Sequence, residues 1–147
     1  MSSEASTAQE ALHKFLLIYR HLRQVARNVD EKGVRGRQLA VMQFLQEQGS
    51  ATVSEIQNYM YISASSASTM ISNLEDTGYV ERTRSTDDNR VVLVELTPMG
   101  KEIAQSAAID GIGLLRRRLP TLSEDRLQKI NDALADIMTL MEVTEEE

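Results

Sequence analysis

The sequence predicts a mainly α-helical protein with one small β-hairpin, and three observations carry that expectation. Apolar residues recur at steps of three and four near both ends of the chain. Two short amphipathic segments, each opened by a residue suited to capping a helix, stand in the middle. Directly after them come two strand-like runs, 79–84 and 90–96, separated by the polar tip Ser85-Thr86-Asp87-Asp88-Asn89.

The first helix is expected over about 8–30. Leu12, Phe15, Leu16, Tyr19, Leu22, Ala26 and Val29 define its apolar face, and Gly33 and Gly36 break it. A short helix over 38–48 follows, with Leu39, Met42 and Leu45 inward and Gly49 closing it. Thr52-Val53-Ser54-Glu55 reads as a capping box, in which the Thr52 hydroxyl accepts from the Glu55 backbone while Glu55 reaches back. The brief helix it opens turns Val53, Ile56 and Met60 inward and ends at Tyr61-Ile62. Ser63 then caps the next helix, over 64–77.

That helix separates into two faces at 100° per residue. Ala67, Met70, Ile71 and Leu74 fall on one side; Ser65, Ser68, Thr69, Ser72 and Asn73 fall on the other. Gly78 sits where a helix ends in a left-handed residue. Two short helices joined by a tight turn form a helix-turn-helix pattern. The hairpin beyond carries Arg82, Arg84 and Arg90, and the whole order is the plan of a winged helix-turn-helix.

Thr97 is expected to cap, and Pro98 to open, one long helix running to Pro120, weakened by Gly111 and Gly113. Ser123 caps the last helix, whose Leu127, Ile130, Leu134, Ile137 and Met141 form a coiled-coil-like seam. The reading is a single domain over 1–147. Its winged helix-turn-helix lobe covers about 37–100, and its dimerisation helices cover about 8–30 and 98–143.

Composition narrows the function. The chain has 147 residues, 41% hydrophobic and 26% charged, as expected of one soluble globular domain in the cytoplasm. No run is long and apolar enough for a membrane helix, and the first residues do not read as a secretory signal, so no membrane partner is expected. The absence of cysteine excludes disulfides, thiol sensing and Cys-ligated metal. His13 and His21 are the only histidines and stand too far apart for an i, i+4 metal pair. No nucleophile motif or phosphate-binding glycine loop is present, so neither catalysis nor a cofactor is predicted. The net charge of −6 means that any nucleic-acid contact depends on local charge distribution.

The stretch from Ile62-Ser63 to Leu74-Glu75, with Gly78-Tyr79-Val80-Glu81-Arg82 after it, resembles the recognition helix and first wing strand of the MarR (multiple antibiotic resistance regulator) family. Asp88-Asn89-Arg90 matches the wing's Asp-x-Arg, and Leu96-Thr97-Pro98-Met99-Gly100 matches the Leu-Thr-x-x-Gly that follows it. The resemblance implies a transcription regulator, with the role of repressor expected. It implies a homodimer built from the first and last two helices. Recognition helices would lie in the major groove of double-stranded DNA and wings in the minor groove. Ser63, Ser65, Ser66, Ser68, Thr69, Ser72, Asn73, Arg82, Arg84 and Arg90 are the expected DNA contacts, with help from Lys32, Arg35 and Arg37. Asp88 is expected to hold the wing. A pocket for a small anionic aromatic effector is implied near Arg23, Arg37, Met42 and Arg116.

One departure stands out. No Lys or Arg occurs between Arg37 and Arg82. The family's recognition helix often carries a basic residue at positions that here hold Ala64, Thr69 and Asn73. The rival reading is therefore a MarR-like dimer that binds a protein or a ligand and holds DNA weakly.

Overall fold

A computed structural model describes residues 3–27 and 34–145. The described chain contains α1 (Ser3–Arg27), α2 (Gly36–Gln48), α3 (Val53–Met60), α4 (Ala64–Asp76), β1 (Val80–Arg84), β2 (Val92–Leu96), α5 (Pro98–Ser106), α6 (Ile112–Arg118), a single 3-10 turn (Leu119–Thr121) and α7 (Glu124–Leu140). It divides into two compact units, Met1–Ala108 and Ile109–Glu147.

The first unit is organised around one core. Met42 and Leu45 from α2, Ile56 from α3, Ile71 and Leu74 from α4, and Val80 and Val94 from the hairpin are almost completely buried. Ile103 of α5 joins the same cluster. Each such side chain contributes about 1.5–3 kcal/mol by leaving water. Phe44 and Tyr59 stack with ring centroids 4.1 Å apart and tie α2 to α3.

The predicted caps are present. Glu55 N–H donates to Thr52 Oγ1 at 3.1 Å, and Thr52 N–H donates to Glu55 Oε1 at 3.2 Å. Ser63 Oγ accepts from Ser66 N–H at 3.1 Å. Thr97 Oγ1 accepts from Gly100 N–H at 3.2 Å while donating to the Gly78 carbonyl at 2.6 Å. That second bond anchors the start of α5 to the end of α4. Gly100 carries the same junction: a Cβ there would run into the Tyr79 carbonyl.

The strands pair antiparallel, with Val80 opposite Leu96, Arg82 opposite Val94 and Arg84 opposite Val92. Val94 also exchanges both backbone hydrogen bonds with Ala51, at 2.7 and 3.1 Å. This bridge closes the hairpin onto the segment before α3.

Several boundaries differ from the sequence reading. The first helix begins at Ser3, because the polar stretch before Leu12 consists largely of good helix formers despite lacking an apolar face. Val29, Lys32 and Gly33 lie outside the described residues. Gly36 opens α2 instead of only breaking α1; a Cβ on it would collide with the Val25 carbonyl, so glycine allows α2 to start against α1. The second strand begins at Val92, not Arg90, because Asp88 Oδ1 takes the Arg90 N–H into a turn at 3.0 Å.

The long helix expected from Pro98 to Pro120 is not continuous. Ala107 is extended, and Gly111 adopts φ 58° and ψ −129°, which a residue with a side chain rarely enters. Helix α5 therefore ends at Ser106 and α6 starts at Ile112. In the second unit, Ser123 Oγ accepts from Arg126 N–H at 3.3 Å and opens α7.

Candidate nucleic-acid interface

Helix α4 is fixed from behind and open in front. Ala67, Ile71 and Leu74 have no more than 1% of their surface exposed. Ser65, Ser66, Ser68, Thr69 and Asn73 are exposed, and Ser72 is half-buried. The outward face thus presents hydroxyl and amide groups at fixed positions, which can donate to or accept from base edges and phosphates. At its start, the Ser63 hydroxyl also donates to Ser66 Oγ at 2.9 Å and lies 3.2 Å from Ser65 Oγ.

The wing flanks one side of this face. Arg82 Nη2 donates to Ser72 Oγ at 3.1 Å, and Arg82 Nε lies 3.7 Å from Glu75 Oε1. Arg82 is thereby turned back onto α4. Arg84 Nη1 donates to the Asn89 carbonyl at 2.7 Å and braces the tip. Asp88 Oδ1 accepts from both the Arg90 backbone and Arg90 Nε, at 3.0 and 3.3 Å. Arg90 nevertheless keeps 92% of its side chain exposed. Asp88 therefore shapes the turn while Arg90 is presented outward.

The opposite side of α4 borders a cleft of about 930 Å³. Ser65, Ser66, Thr69 and Asn73 line one wall, and Arg27, Arg35 and Arg37 contribute from α1 and the start of α2. Arg27 is not among the residues the sequence pointed to. The signal for it is that three arginines bracket the glycine break between the first two helices.

The residues expected around an effector are scattered in character. Arg23 lies over the Tyr19 ring, 5.6 Å from its centroid. Arg37 lines the cleft beside α4. Met42 has 0% exposure and is a core residue of the first unit. Arg116 belongs to α6 in the second unit.

A capped helix pair with a polar outer face, followed by an arginine-bearing hairpin, defines a winged helix-turn-helix protein. Comparison with known proteins gives the family. The MarR family model matches residues 36–92. The chain is 31% identical over 110 residues to the uncharacterized HTH-type transcriptional regulator YfiV of Bacillus subtilis (strain 168), covering 75% of this chain and 69% of that one. It is 27% identical over 124 residues to the HTH-type transcriptional repressor MdtR of the same organism, covering 84% and 80%. Among solved structures, a mutant MarR from E. coli complexed with operator DNA is similar in fold, with a TM-score of 0.61, 19% identity and coverage of 94% and 99%. The chain belongs to the MarR family; it is a transcription regulator and not an enzyme. No helix among the described residues is long and apolar enough to cross a membrane.

Proposed function

We propose that the protein is a sequence-specific DNA-binding repressor acting as a homodimer. The observation that carries this reading is the two-sided character of α4. Its apolar side is locked into the core while Ser65, Ser68, Thr69 and Asn73 stand exposed beside an arginine-bearing hairpin. A helix held this way can be laid in a major groove without rearranging. Ser63, Ser65, Ser66, Ser68, Thr69, Ser72 and Asn73 supply its contacts to bases and nearby phosphates. Arg84 and Arg90 bring the wing's charge to the backbone or the minor groove. Arg82 acts chiefly through Ser72, which it holds. The repressor name of MdtR supports the sign of regulation.

Both ends of the chain support the dimer. None of the residues of α1 or of α7 is buried within the single chain. Leu12, Leu16 and Tyr19 are at least 50% exposed, as are Leu134 and Met141. Apolar stripes of this kind mark surfaces for association. The proposed dimerisation helices are α1 and α5 to α7, and the proposed DNA-binding lobe covers about 37–100.

Release by a small anionic aromatic molecule completes the reading. Arg23 and Arg37 of the first unit are the cations proposed to meet it; Met42 would contribute only through a rearranged core. Such a ligand lowers DNA affinity only by its preference for the dimer geometry that does not fit DNA. Gel shift with the protein's own upstream DNA, with and without salicylate-like compounds, tests both statements. A specific shift, weakened by the compound, is expected. No shift at any concentration would favour the rival reading, which the lack of basic residues between Arg37 and Arg82 suggests.

A further inference from the structure

We infer that the arginine-lined cleft beside α4 holds a stretch of DNA sugar-phosphate backbone, on the flank of the recognition helix away from the wing. The inference rests on the proposed DNA reading and adds a second backbone contact to it.

A helix lying in the major groove has a phosphate backbone on each side, across a groove about 12 Å wide. On one flank of α4, Ser72 and Glu75 hold Arg82, and the wing continues outward to Arg84 and Arg90. On the other flank, the cleft runs along Ser66, Thr69 and Asn73. The lobe carries no Lys or Arg between positions 37 and 82, so neither α3 nor α4 can neutralise the charge of the second backbone. It is met from the far side of the cleft. Arg27, Arg35 and Arg37 all line it and all are exposed.

The convergence of these three side chains is built into the backbone. Gly36 stands between Arg35 and Arg37, and its missing Cβ lets α2 begin against the Val25 carbonyl, two residues before Arg27. Among the described residues, one carboxylate, Asp76, also lines the cleft, against three guanidinium groups. Guanidinium forks pair well with phosphate oxygens. A wall shared with the recognition face favours DNA over a small anion as the occupant, since Thr69 and Asn73 border both.

The test is a salt series of dissociation constants, by fluorescence anisotropy, for the protein's own upstream duplex and a scrambled duplex of equal length. The paired variant Arg35→Ala/Arg37→Ala is compared with the wing variant Arg84→Ala/Arg90→Ala and with Arg35→Lys/Arg37→Lys. The inference expects the first to lose about tenfold or more affinity for both duplexes at low salt. Its log–log salt slope should flatten by about 0.9 for each phosphate it no longer neutralises. The lysine pair should keep most of the slope, which separates lost charge from lost fold. A wild-type slope in Arg35→Ala/Arg37→Ala, with a flattened slope in the wing variant, overturns the inference and leaves the DNA reading standing. So does loss of salicylate binding, by calorimetry, in a variant whose DNA binding is intact. If the wild type binds neither duplex, the DNA reading fails and the inference fails with it.

Discussion

Arg82 Nη2 donates to Ser72 Oγ across 3.1 Å, joining the first wing strand to the recognition helix. The same guanidinium stands 3.7 Å from Glu75 on that helix. This single planar side chain adds a polar link between wing and helix to the apolar core they share. Arg82→Ala should leave stability within about 1 kcal/mol, because the pair is partly exposed. It should lower the preference for specific over scrambled duplex by about tenfold or less, with little change in salt slope. Arg82→Lys should recover only part of that preference, since an ammonium lacks the fork. Anisotropy titrations of both variants check this.

The two faces of α4 should respond oppositely to truncation. Ile71→Ala removes a fully buried side chain and should cost about 2–5 kcal/mol. Ser68→Ala lies on the exposed face and should change stability by less than about 0.5 kcal/mol. Urea unfolding, followed by circular dichroism, gives both values. Equal costs would show that the faces have been assigned wrongly.

The reciprocal Thr52–Glu55 bonds start the first helix of the helix-turn-helix. Thr52→Ala should cost about 0.5–2 kcal/mol, whereas Thr52→Ser should cost much less. Thermal melts of the two variants are sufficient to decide.

Association should depend on the apolar seam of α7. Ile130→Asp/Ile137→Asp should give monomers or unfolded protein by light scattering, while the wild type remains dimeric at micromolar concentration. Recognition helices of the dimer should address half-sites about 34 Å apart. A wild type that is a stable monomer at that concentration contradicts the dimer.

The features written locally were legible in the sequence. Thr52, Ser63, Thr97 and Ser123 each cap the helix expected of them, because a cap needs only a hydroxyl and the next turn. The faces of α4 follow from 100° spacing alone. What was not legible depends on distant partners or on exceptional backbone. The Ala51–Val94 bridge spans one residue on each side and leaves no alternation to read. Gly111 reads as a weak point in a helix, whereas its positive φ lies in a break before α6. The cleft depends on α2 approaching α1 through Gly36, so Arg27, Arg35 and Arg37 become one feature only in three dimensions.

In the proposed function, α4 reads DNA with its hydroxyl and amide face while the arginines hold the backbone. Dissociation constants of Thr69→Ala, Asn73→Ala and Arg90→Ala, measured against specific and scrambled duplexes across a salt series, decide whether it does. The helix variants should relax base preference and leave the salt slope nearly unchanged. Arg90→Ala should weaken binding to both duplexes and flatten the slope by about 0.9 for each phosphate that Arg90 neutralises in the wild type. Wild-type affinity, preference and slope in all three variants would show that neither α4 nor Arg90 touches DNA.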